Sequence, residues 1–187
     1  MTARPSDNDL SPTTDREYVA QVISNLTDVI RAQPAAGRAR FLRGNAYLDS
    51  GQFAAAASDY DRAIELDPED PTPRNNRGIA HRSLGNPESA IADYDAALGL
   101  DPRYRDAYTN RGIAYVDRGD LSKAIADFTV AIELDPESWH AFGQRGSALW
   151  ELGRKAEAEQ DYATASRLVG SQGGDMSGRP RAGGSDR

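Results

Sequence analysis

The sequence predicts an all-α fold: a right-handed α-solenoid of four helix-turn-helix units preceded by one amphipathic N-terminal capping helix. Three observations predict it. Leu-Asp-Pro recurs at Leu66-Asp67-Pro68, Leu100-Asp101-Pro102 and Leu134-Asp135-Pro136, two steps of 34 residues with no insertion between them, and Pro34 lies one step upstream of Pro68. Arg-Gly recurs on the same spacing at Arg43-Gly44, Arg77-Gly78, Arg111-Gly112 and Arg145-Gly146, and a second glycine follows seven residues later at Gly51, Gly85, Gly119 and Gly153. Ala90, Tyr94 and Ala97 match Ala124, Phe128 and Ala131. These are the i, i+4 and i+7 positions of one helical face. A fixed period of this size marks a stack of two-helix units, each of which buries its apolar face only against its neighbours.

The composition agrees. A chain of 187 residues has room for one compact domain or one short array. Its 29 alanines call for closely stacked helices with small contact residues, whereas strand-rich folds want more Val, Ile and Thr. Lys and Arg number 22 against 29 Asp and Glu, a net charge of −7, so no broad cationic surface awaits nucleic acid. With no cysteine, disulfides and thiolate-bound metals are excluded. No apolar run approaches the roughly 18–20 residues that span a bilayer, and the opening MTARPSDNDLSP has no signal-peptide core. The expectation is a cytoplasmic protein without a membrane partner.

Taken in order, residues 1–13 are expected to be a disordered arm. The segment 14–36 carries an apolar stripe of Tyr18, Val19, Val22, Ile23, Leu26, Val29 and Ile30, with Thr14 and Glu17 as a capping box. In register with Pro34, it fills the second-helix slot of an incomplete unit. The units follow at 37–70, 71–104, 105–138 and 139–169. In each, the second glycine suits the left-handed turn between two helices. The first glycine, such as Gly112, falls at a close approach and is expected to face Ala124. Proline blocks further helix and opens the next unit. The slots of Ile91 and Leu98 become Glu159 and Ser166 in the fourth unit, which makes that face polar as the end of an array requires. The tail, 170–187, is glycine-rich, poor in apolar residues, and expected to be disordered.

Tyr108, Gly112, Tyr115, Ala124, Phe128, Ala131 and Pro136 together resemble the tetratricopeptide repeat (TPR) family, and the likeness covers residues 37–169 with a half unit before it. Departures are Arg43, Arg77, Arg111 and Arg145 at the consensus leucine, Arg40 and Arg74 at the first aromatic, and His81 at a tyrosine. Each arginine recurs with an aspartate, Asp59, Asp93, Asp127 or Asp161, at constant separation. Two readings stand: interhelical or inter-unit ion pairs, or a cationic stripe for acidic ligands.

No catalytic or metal constellation is recognisable. His81 and His140 lack H-E-x-x-H spacing, and no phosphate-cradling glycine loop occurs. The carboxylates of Asp59-Tyr60-Asp61 and Asp93-Tyr94-Asp95 are two apart and do not share a helical face. No cofactor and no metal are expected. Trp139 and Trp150 read as terminal-repeat packing or as stacking platforms.

The family resemblance implies a concave groove lined by the first helices, whose facing residues lie at unit positions 2, 5, 6 and 9. The groove residues singled out are Phe41, Asn45, Asn75, Asn76, Ile79, Thr109, Asn110, Ile113 and Gln144, with Asp106 and His140 on the same face. Asn76, Asn110 and Gln144 form an amide row at one position of successive units. A carboxamide both donates and accepts, so such a row can bond the main chain of an extended peptide. The same amides read equally as solvated groups or helix caps. The family's carboxylate clamp needs cations where this chain has Phe41, Asp106 and Asn110. The expected function is a noncatalytic protein-protein interaction module holding a peptide or partner segment. The alternative is a structural subunit or self-associating scaffold using its convex or terminal faces.

Overall fold

A computed structural model describes residues 12–172. The described residues form nine α-helices and no strand: α1 (Pro12–Ala32), α2 (Gly37–Asp49), α3 (Phe53–Leu66), α4 (Pro71–Ser83), α5 (Pro87–Leu100), α6 (Arg105–Asp117), α7 (Leu121–Leu134), α8 (Trp139–Glu151) and α9 (Lys155–Gln172). Each packs on the next in the chain. The first helices of consecutive units also touch, α2 with α4, α4 with α6 and α6 with α8, whereas second helices do not touch one another. The stack therefore curves with the first helices inside. It is a helical solenoid.

Two stretches differ at their edges from the sequence expectation. Helix α1 starts at Pro12, so Thr14 lies inside it and cannot be its N-cap, and residues 12–13 are helical. Proline is well placed there, because the first helical residue has no intrahelical partner for its N–H. Helix α9 continues through Gln172, three residues into the expected tail. The remaining expectations of disorder, on 1–11 and 173–187, lie outside the described residues.

The turn inside each unit is built as the second glycine predicts. Gly51, Gly85, Gly119 and Gly153 have φ of 75°, 80°, 83° and 82°, where a side chain would be strained. The Leu-Asp-Pro turns between units have a further device. Asp67, Asp101 and Asp135 each accept the backbone N–H two residues on through Oδ1, an Asx turn that holds the chain until the next helix starts.

The core is one small-aromatic-small layer per unit. Ala90, Tyr94 and Ala97 are fully buried, as are Ala124, Phe128 and Ala131. The first glycine serves the aromatic and not the alanine: a Cβ on Gly112 would stand 2.6 Å from the Phe128 ring, and one on Gly78 would stand 2.5 Å from Tyr94. The expectation that Gly112 faces Ala124 is thus corrected. A flat ring needs more room than a methyl group, and only a bare Cα leaves it.

The recurrent arginines close the seam between helices. Arg43, Arg111 and Arg145 each grip the aspartate of their own unit with a two-pronged fork: 2.7 and 2.7 Å to Asp59, 2.8 and 2.8 Å to Asp127, 2.8 and 2.8 Å to Asp161. Arg77 grips Asp93 likewise, with Nε at 3.0 Å from Oδ2. The remaining nitrogen reaches back to the preceding second helix, to Thr27 at 2.9 Å, Asp61 at 2.6 Å, Asp95 at 2.5 Å and Thr129 at 3.1 Å. One guanidinium thus joins three helices, which is the ion-pair reading of these residues. Hydrogen bonding to Asp93 and Asp127 raises Arg77 and Arg111 above the ordinary arginine range.

Of the departures in unit two, His81 belongs to this seam, whereas Arg74 donates to Asp70 O at 3.3 Å. Elsewhere an aromatic lies beneath the guanidinium, Tyr47 at 5.6 Å, Tyr108 at 5.5 Å or Phe142 at 5.6 Å. Unit two has none, and His81 instead sets Nδ1 2.9 Å from Asp93 Oδ2.

Candidate functional site

The inner face presents positions 2, 5, 6 and 9 of each first helix, and position 6 immediately precedes the seam arginine. Because neighbours on a helix are about 100° apart, Asn76, Asn110 and Gln144 face inward while Arg77, Arg111 and Arg145 face the seam. The amides do not wait singly in solvent, nor do they cap helices. Asn110 Nδ2 donates to Asn75 Oδ1 at 3.0 Å, and Asn75 Nδ2 donates to Asn76 Oδ1 at 3.1 Å. Asn76 Nδ2 donates to Asn45 Oδ1 at 3.0 Å, and the same oxygen accepts the Tyr60 hydroxyl at 2.8 Å. This chain of carboxamides crosses three units.

Asn75 is the pivot. It is 3% exposed, so its amide would be costly without partners, and both its ends are bonded. The flanking Asn76 and Asn110 are half-buried and spend one donor each on the chain. A primary amide has two N–H groups and an oxygen with two lone pairs, so each keeps hydrogen-bonding capacity directed by its neighbours. Burial raises the Tyr60 hydroxyl well above the usual phenol range and keeps it a donor.

Five of the residues singled out, Asn75, Asn76, Ile79, Thr109 and Asn110, line one cavity of about 390 Å³ between α4 and α6. Asp106 and His140 line it as well. The other four sit apart from it. Asn45 joins through the amide chain. Phe41 lines a separate cavity of about 350 Å³ with Arg38, and Arg38 lies 5.4 Å over its ring. Ile113 packs on the core around Phe128. Gln144 sets its amide 3.2 Å from His140 Nε2 on its own helix, so the amide row stops at Asn110. It ends there because Thr109, which holds in unit three the place of Asn75, offers no amide to Gln144 and donates its hydroxyl to Arg105 O at 3.3 Å on its own helix.

Sequence reasoning missed Tyr104, Arg105 and Ser138, which also line the cavity. Tyr104 and Ser138 precede their helices and Arg105 opens α6, so positions counted along helical faces pass over them. The signal available was the loop itself, which a tight inter-unit turn brings to the rim. Burial raises the Tyr104 phenol. Arg105 is held by Asp106, with Nη2 at 2.7 Å, and by Asp135. Its charge is thereby answered before any ligand arrives. Among the described residues no His, Asp or Glu cluster fit for a metal occurs, and no helix is long and apolar enough to cross a membrane.

Neither tryptophan is packed away at the end of the array. Trp139 and Trp150 are each 46% exposed. Trp139 meets His140 edge to face, and Lys155 lies 5.2 Å over the Trp150 ring.

The family profile described as Tetratricopeptide repeat matches residues 75–138 and 109–169, and one described as TPR repeat matches residues 44–85. No curated protein matches the chain. Among solved structures, the crystal structure of MamA superposes with a TM-score of 0.77 at 22% identity, covering 92% of this chain and 98% of that one. YrrB, described as a TPR protein with an unusual peptide-binding site, gives 0.67 at 18%, with coverage of 87% and 82%. The first TPR of Spaghetti (RPAP3), bound to the HSP90 peptide SRMEEVD, gives 0.61 at 26%, with coverage of 63% and 93%.

Proposed function

The chain belongs to the tetratricopeptide repeat family, and from that premise we propose that it is a noncatalytic interaction module that holds an extended segment of a partner protein against the inner face of α4 and α6. The observation that carries this reading is the cavity of about 390 Å³ walled by Asn75, Asn76, Thr109 and Asn110, in which each amide is oriented by the one before it. Side chains already ordered lose little entropy when a ligand binds, so their remaining donors and acceptors act at small cost. Recognition through carboxamides addresses a peptide main chain, with Ile79 as an apolar contact. Two structural relatives support a peptide ligand: one is bound to an HSP90 peptide and the other is described by its peptide-binding site.

The segment differs in chemistry from an acidic tail. The guanidinium in the cavity, Arg105, faces Asp106 and Asp135, and the clamp positions hold Phe41, Asp106 and Asn110. A neutral or weakly basic segment suits a protein of net charge −7, with steering limited to about 8 Å at cellular salt.

Selection of binders from a random peptide library tests the proposal. Peptides recovered on the native protein should bind the Asn76→Ala/Asn110→Ala double variant about tenfold or more weakly, since each lost hydrogen bond is worth roughly 0.5–1.5 kcal/mol. Equal affinity for both proteins would show that these amides are not the site.

A further inference from the structure

The N-terminal end of the stack has an unfilled place. By the repeat, Val22, Leu26 and Val29 stand in the slots of Ala56, Tyr60 and Ala63, which are 0%, 0% and 4% exposed beneath their own first helix. Among the described residues no such helix lies over α1, which packs on α2 alone. Its other flank does the seating at Thr27, which accepts from Arg43, and at Ile30, which is 8% exposed, while Val19 and Ile23 line a cavity of about 720 Å³ with Tyr47 and Gln52. The stripe meanwhile stays open at its two ends, with Tyr18 71% and Val29 44% exposed and Val22 and Leu26 half-buried between them. Nor is the turn that the other units use present at the matching place. Glu17 stands where Gly51, Gly85, Gly119 and Gly153 make that turn, and α1 runs straight through the position.

We propose that the place is filled by α1 of a second copy, the two helices packing antiparallel across a twofold axis through Tyr18, Val22, Leu26 and Val29. These residues, at i, i+4, i+8 and i+11, form one ridge along a helix. Antiparallel is the direction that the missing first helix would take, and a twofold axis perpendicular to a helix produces it. The same patch then serves both partners. Charge permits it as well. Two copies of a chain with net charge −7 repel, but the ridge itself is uncharged, and in the row beside it, Glu17, Gln21, Asn25 and Asp28, the middle two bond each other at 2.8 Å and Asp28 is answered by Arg31 at 2.6 Å. The opposite end of the stack offers no matching ridge: its outward slots are exposed Glu159 and Ser166, and its exposed Tyr162 and Val169 lie to one side of them. Association is therefore head to head, closing as a dimer and not extending as a filament. This inference is independent of the groove.

Sedimentation velocity over a range of concentrations tests it, and the absence of cysteine allows a clean second arm. The full chain should show a monomer-dimer equilibrium, and Val29→Arg should weaken it about tenfold or more by placing an unpaired charge in the contact, with helical content unchanged. Asn25→Cys should form a disulfide-linked dimer on mild oxidation, while Ser166→Cys at the far end should not. A monomer at every concentration overturns the proposal, including the case in which residues before Pro12 cover the ridge. So does a dimer that survives Val29→Arg, or one that links through Ser166→Cys.

Discussion

Asn110 and Arg111 are adjacent in the chain and belong to two different regions. Arg111 lies in the seam, where the same arginine-aspartate fork occurs in all four units, with its third contact always on the preceding second helix. Asn110 lies on the inner face, where position 6 reads Leu42, Asn76, Asn110 and Gln144, and position 9 reads Asn45, Ile79, Ile113 and Ser147. The seam repeats in every unit. The inward residues vary: amides bond across α2, α4 and α6, whereas Gln144 bonds its own helix. The contrast separates side chains that hold the stack from those available for recognition.

The largest expected effect is in the seam. Asp127→Ala leaves Arg111, whose side chain is 19% exposed, without the fork that answers its charge. Loss of one partner of a mostly buried pair should cost about 3–5 kcal/mol and lower the melting temperature by many degrees. Arg111→Met with Asp127→Leu should recover most of that loss. An unchanged melting temperature in Asp127→Ala would erase the distinction between the regions.

Glycines offer an intermediate test. Gly112→Ala drives a methyl to 2.6 Å from the Phe128 ring and should destabilise by about 1–3 kcal/mol. Gly143 sits in the same kind of helix, but a Cβ there meets nothing within 4 Å. Gly143→Ala should therefore stabilise by about 0.5–1 kcal/mol through helix propensity. Chemical denaturation of both variants reads the difference in sign.

The smallest effect lies where the regions meet. Tyr60 and Tyr94 fill the same slot and are equally buried, but Tyr60 reaches Asn45 while Tyr94 faces the slot that holds Ile79. The Tyr94 hydroxyl is buried without a hydrogen-bond partner among the described residues; Arg82 approaches it outside hydrogen-bond geometry, and burial raises its ionisation well above the phenol range. Tyr60→Phe should cost about 1 kcal/mol, and Tyr94→Phe should cost nothing or stabilise. Equal losses in thermal unfolding would mean that the amide chain adds no stability at its end.

Much of the fold was legible because the repeat compares the chain with itself. The period, the two helices per unit, the left-handed glycines and the Ala-aromatic-Ala layer all follow from residues that recur. The site was legible only in part. Asn76 and Asn110 could be placed on one face, but Asn75 as their link was invisible, since a bond between Asn110 and Asn75 joins residues 35 apart across two helices. Tyr104 and Ser138 lie in turns, where no helical period points at a cavity. His81 looked like a departure from the pattern until Asp93 was found beside it.

By itself, the sequence determined which residues must be small, aromatic or left-handed, because those demands are local or repeat at a fixed interval. Tertiary structure alone decided where each arginine's third contact lands, on Thr27, Asp61, Asp95 or Thr129, which amides bond one another and which apolar stripe stays open. Those outcomes depend on distances between separate helices, set by how successive units stack, and no position along a single helix encodes them.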